Sequence, residues 1–160
     1  MRPSAARVMT DENILAKAGA SAREEVQLAR LASNRVRNAK VKRFAEELIE
    51  DHGRADRAVK DLERKLSLTE EPPANDSSAQ HLEHLIDRFN SLPAKAFDTA
   101  FVNHAIDDHA RDIAETRVLA GRAKRSEVRE LLLSSIPELK AHLARAKELK
   151  VELRRRRRAR

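Results

Sequence analysis

Four side chains able to bind a metal stand out by where they fall in the chain: Glu25, His52, His109 and His142. Each interrupts a stripe of apolar residues spaced three and four apart, the spacing of a helix that buries one face in a bundle. The first stripe reads Leu15, Ala18, Ala22, Glu25, Ala29, Ala32, Val36. The second reads Val41, Ala45, Leu48, His52, Ala55, Val59, Leu62, Leu66. The third runs from Phe101 or Val102 through Ala105, His109, Ile113, Thr116 and Ala120, and the fourth through Val128, Leu132, Ser135, Leu139, His142, Ala146, Leu149 and Leu153. A buried carboxylate costs several kcal/mol unless it is paired, hydrogen-bonded or bound to a cation. Three imidazoles and one carboxylate facing a common axis suit one divalent transition metal, with zinc as the leading candidate and Cu, Fe, Ni or Co as alternatives. Four protein ligands close a tetrahedron, which favours buffering, sensing or structural stabilisation over catalysis. If Glu25 is not a ligand, three histidines and a water would resemble a hydrolytic or redox site.

Height along the bundle tests whether the four can meet. Glu25 lies 12 residues before a turn at Arg37 and His52 lies 15 after it, a difference of roughly 4–5 Å at ~1.5 Å per residue. His109 lies 14 before a turn at Ala123 and His142 lies 19 after it, roughly 7 Å on the same rise. A kink at Pro137, or a turn centred later, would reduce that offset; alternatively Glu138, one turn before His142, is a ligand. Asp51 and Asp108 each precede a candidate histidine, and Asp56 follows His52 by one turn. These and Glu138 are candidates to orient an imidazole, or are surface acids. His104 sits at a stripe edge, and His81 and His84 form an i, i+3 pair. A competing reading keeps the same polar residues as a metal-free hydrogen-bonded network in a structural or interaction bundle.

The elements that must position these groups are all helical. The chain has 160 residues with 41 % hydrophobic and 37 % charged residues, 3 Gly and 5 Pro, a mixture suited to amphipathic helices and short of the turn residues an all-β protein needs. Four Phe with no Trp or Tyr leave the core to Leu, Ala, Val and Ile. The absence of Cys excludes thiolate ligands, disulfides and cysteine catalysis. Helices are expected from Thr10 or Asp11, over Asn38–Leu66, over Ala94–Leu119 with Gly121 as the C-terminal cap, and from Ser126 onward. TEEPPANDSS at 69–78 breaks helical structure and should cross the end of the bundle, followed by a short helix over Ala79–Asn90. The expected fold is an all-α antiparallel four-helix bundle with a short extra helix in the long central crossover, one domain over 1–153.

The net charge of +7 is concentrated in a tail. Arg154, Arg155, Arg156, Arg157, Arg158 and Arg160 supply six charges, so without residues 154–160 the balance falls to +1. The tail is expected to be disordered, with electrostatic contact to a polyanion or membrane surface as its candidate role. No aromatic residue accompanies it for base stacking. No stretch approaches the ~20 apolar residues of a membrane span, and Met1–Thr10 lacks the apolar run of a signal peptide.

Together, Glu25-Val26-Gln27-Leu28, Phe44-Ala45 through Asp51-His52, Phe97-Asp98 through Asp108-His109, and Pro137-Glu138-Leu139 through His142-Leu143 resemble the bacterial DUF4142 family over Glu12–Leu149. That resemblance implies a ferritin-like bundle and places Glu25, His52, His109 and His142 at the family's recurring polar core positions. It implies an exported or periplasmic location, since members carry export or lipoprotein signals, and supplies no activity. Di-iron proteins of that fold use Glu-x-x-His pairs. Here the residues three before the candidate histidines are Ile49, Ile106 and Leu139, which favours a mononuclear site.

Overall fold

The computed structural model describes residues 9–159 and is all-α: α1 (Asp11–Arg35), α2 (Ala39–Leu66), α3 (Ser78–Asn90), α4 (Ala94–Arg122) and α5 (Ser126–Arg158). Most of the segment Met1–Thr10, tested above for a signal peptide, and Arg160 lie outside the described residues. Among the described residues no helix is long and apolar enough to cross a membrane.

Local chemistry explains the boundaries. Thr10 caps α1 through a reciprocal pair of hydrogen bonds with Asn13, which satisfies two otherwise orphaned amides. Asn38 caps α2 through its side-chain oxygen. Ser67 ends α2 in the left-handed region at φ 53°, where its amide returns to the last turn. Gly121 is not the cap it was expected to be. It lies inside α4, which runs on to Arg122 and is capped by Ala123 in an extended conformation. The helical propensity of Arg and the attraction of cations to a helix C-terminus account for α5 continuing to Arg158, where a disordered tail was expected.

The helices form two antiparallel hairpins, α1–α2 and α4–α5. They pack through α2 against α5 and α1 against α4, and each turn is held by a carboxylate of the other hairpin. Asp98 at the start of α4 accepts the Arg37 and Asn38 amides at 2.9 and 2.7 Å. Asp11 at the start of α1 accepts the Lys124 and Arg125 amides at 2.9 and 3.0 Å. These bonds set α1 antiparallel to α4. Lys40 on Glu152 at 2.8 Å does the same for α2 and α5.

The crossover does not lie over the bundle end as expected. It lies along α1, with Glu71 accepting from Asn13 at 2.8 Å and Glu70 paired with Arg23 at 2.5 Å. The α3 helix then packs on α1 and α4. Arg35 fastens its far end by donating to the Phe89 and Leu92 carbonyls and stacking 4.7 Å above the Phe97 ring.

The apolar interior divides in two. One cluster holds all four Phe with Leu28, Val41, Leu48 and Leu149 among others. The second holds Ile14, Leu15, Val59, Leu119, Val128 and Leu132. Along every long helix the break between the two falls at the polar residue of the stripe: Glu25, His52, His109 or His142.

Candidate metal centre

Three of the four stripe residues come together. His52, His109 and His142 are all buried, and each offers a ring nitrogen within 4.8 Å of the others. Their ring centroids are 5.2–5.4 Å apart. The roughly 7 Å height offset estimated for His109 and His142 on the helical rise does not separate them.

Hydrogen bonds on the outer side fix two of the rings. His109 Nδ1 donates to the Ala105 carbonyl one turn back, at 2.9 Å, so Nε2 carries its lone pair. It lies 3.3 Å from His52 Nε2. His142 Nε2 lies 2.9 Å from Asp51 Oδ2, which as a carboxylate only accepts. In the neutral ring the lone pair then falls on His142 Nδ1, which is buried without a hydrogen-bond partner. Burial, then the charge of neighbouring imidazoles, pushes His52 down to about 3 and His109 to about 4. Both rings are thus neutral, the state that ligation requires.

The fourth stripe residue is placed elsewhere. Glu25 joins another group with His104 and Asp108. The reason lies in α4: Ala105 and His109 share one face of it, whereas His104 and Asp108, also four apart, share a face rotated by about 100°. The face bearing His109 is turned toward α2 and α5. The face bearing Asp108 is turned toward α1 and α3, where Glu25 meets it, with His104 Nε2 at 4.0 Å from Glu25 Oε1.

The remaining candidates divide in the same way. Asp51 meets His142 and Arg54. Asp56 instead pairs with Arg23 and Lys60 at 2.8 and 2.7 Å, and Glu138 with Arg54 at 3.0 Å. His84 is exposed, and His81 faces the cavity beside Glu25. His104, expected at a stripe edge, belongs to the group around Glu25. Its i, i+4 relation to Asp108 was the available signal.

A cavity of about 290 Å³ opens beside the three-histidine group, on the side of His52 alone. His52 lines it along with Ala22, Ala55, Val59, Leu132 and Leu139, and Lys17, Arg54, Glu115 and Glu138 add charge. This gives a route from solvent to His52.

The family model described as a domain of unknown function, DUF4142, matches residues 1–149. The chain belongs to the DUF4142 family. Compared with the curated proteins and with the solved structures it finds no match. In this DUF4142 protein, then, the buried side-chain groups with metal-binding chemistry are the guide to what the bundle does.

Proposed function

We propose that this protein binds one divalent transition metal, zinc first among the candidates, through His52, His109 and His142, in a ferritin-like bundle. The observation that carries the reading is the buried, unpartnered Nδ1 of His142, left free because Asp51 holds Nε2. An unsatisfied buried nitrogen costs about 1–3 kcal/mol, and a shared cation removes that cost. The 3.3 Å between His52 Nε2 and His109 Nε2 also fits: nitrogens on a tetrahedral zinc at roughly 2.0–2.1 Å stand about 3.3 Å apart. Three protein ligands would leave a fourth position for water, an arrangement that allows reversible loading in metal buffering or sensing and also resembles a hydrolytic or redox site. Asp51 and the Ala105 carbonyl orient the rings.

The same 3.3 Å separation is within reach of an N–H···N hydrogen bond, which favours the metal-free bundle as the alternative. Elemental analysis of tag-free protein, alongside His52→Ala and His142→Ala, decides between them. About one equivalent of one metal, lost in both variants, supports the site. No metal in the wild type, none taken up from zinc or copper, and a melting temperature indifferent to EDTA would support the hydrogen-bonded network instead. The exposed arginines Arg154–Arg158 at the end of α5 support contact with a polyanion or anionic membrane surface. That contact should weaken steeply with salt and vanish on deletion of residues 154–160.

A further inference from the structure

Another polar cavity, about 390 Å³, lies between α1, α3 and α4. Six carboxylates line it, Glu24, Glu25, Asp76, Asp108, Asp112 and Glu115, against the two cations Lys17 and Arg111. Lys17 is paired with Glu115 at 2.5 Å, and Arg111 with Asp108. Glu25 is the most deeply placed of the six, its side chain 7 % exposed. Among the described residues no basic side chain outside the group pairs with it, and His104 at 4.0 Å is too far for a hydrogen bond. A carboxylate so buried, facing another carboxylate and an imidazole, requires a proton or a cation.

We propose that Glu25, His104 and Asp108 form a further cation site, separate from the three histidines, which takes a divalent metal of harder, oxygen-preferring character such as Mn²⁺. One atom from each of the three lies within 4.8 Å of the others, so a single ion reaches all of them. Two carboxylates and one imidazole are weighted toward oxygen, whereas three imidazoles suit zinc or copper. The cavity leaves room for waters to complete a six-coordinate shell. The two sites thus differ in donor set, in the faces of α4 they use and in their cavities.

The test titrates full-length protein with Mn²⁺ alone, reading the free ion by its EPR signal, for wild type, Glu25→Gln, Asp108→Asn and His109→Ala. We expect about one equivalent bound by wild type and by His109→Ala, with about tenfold or greater weakening in Glu25→Gln and Asp108→Asn. Wild type also permits a measurement that needs no variant: bound Mn²⁺ should broaden the His104 ring resonances at lower metal concentration than those of His109. Absence of Mn²⁺ uptake by wild type, equal uptake by Glu25→Gln, or earlier broadening of His109 would each overturn the proposal. Failure of the three-histidine site would show differently, as zinc binding indifferent to His109→Ala, and would leave the manganese result standing.

Discussion

His142 donates its Nε2–H to Asp51 Oδ2 at 2.9 Å, and that bond decides which ring nitrogen is left for the interior. Asp51 lies below the ordinary aspartate range: burial works against this, but the hydrogen bonds from His142 and Arg54 and the Arg54 charge outweigh it. It is therefore an ionised acceptor at neutral pH. Asp51→Ala should weaken zinc binding about 10- to 100-fold while all three imidazoles remain. Asp51→Asn, whose amide oxygen still accepts, should lose less. Competition with a chromophoric chelator measures both, and equal affinity in Asp51→Ala would show that the ring is held by its packing alone.

The histidines should make the metal-free protein acid-sensitive. In the fold His52 is held at about 3 and His109 at about 4, against about 6.5 in an unfolded chain. Below pH 6.5 the unfolded state binds more protons, so stability falls as pH drops from about 6.5 toward 3 and is unaffected by these two rings above that window. In EDTA, the urea midpoint of the His52→Gln, His109→Gln double variant should lose less between pH 6.5 and 4 than that of wild type. Parallel losses would mean that these rings already titrate normally in the fold.

The carboxylates beside Glu25 should act in the opposite sense. Asp112 is pushed up to about 7 by burial first and by the Asp108 charge next. An acid with a raised folded value stabilises below its unfolded value and loses that contribution as pH climbs through the folded one, here from about 4 to about 7. Asp112→Asn should therefore gain stability relative to wild type between pH 5 and pH 8 when no metal is present. Thermal melts at the two pH values read the difference, and saturating Mn²⁺ should narrow it.

Asp11 and Asp98 each satisfy two backbone amides in a turn of the opposite hairpin. Hydrogen bonds to a charged group contribute about 1.5–3 kcal/mol, so Asp11→Ala and Asp98→Ala should each destabilise by about 1–3 kcal/mol in urea unfolding. Asp11, 6 % exposed, should cost more than the half-buried Asp98. The two lie at opposite ends of the bundle and should add within about 0.5 kcal/mol. Strong coupling would mean that they fix a common hairpin packing rather than two separate turns.

Gly121 sits in the last turn of α4, is exposed, has no atom within 4 Å of where a Cβ would stand, and lacks positive φ. Gly121→Ala should raise stability by about 0.5–1 kcal/mol through helix propensity. Had it been the left-handed cap that its place in the chain suggests, the same change would destabilise. A shift of the melting temperature in either direction therefore reports its conformation.

Periodicity marked the long helices and part of the face that each turns inward, although the fully buried Ile14, Leu28, Phe44 and Phe97 lie outside the stripes. Stripe spacing marks an apolar face whatever that face packs on, so His52, His109, His142 and Glu25 were all legible as buried polar residues. The capping chemistry of Thr10 placed the start of α1 to within a residue. What periodicity does not carry is the order of helices around the bundle axis. That order, α1–α2–α5–α4, depends on contacts between residues far apart in sequence, such as Asp98 with the Asn38 amide and Asp11 with the Arg125 amide. It decided that the three histidines meet across α2, α4 and α5, and that Glu25 turns instead to the neighbouring face of α4. It also laid the crossover along α1 and not over the end. One residue along α4 separates Asp108 from His109, and a step of about 100° around a helix axis assigns them to different sites. A linear sequence records that step, but only packing shows what stands on either side of it.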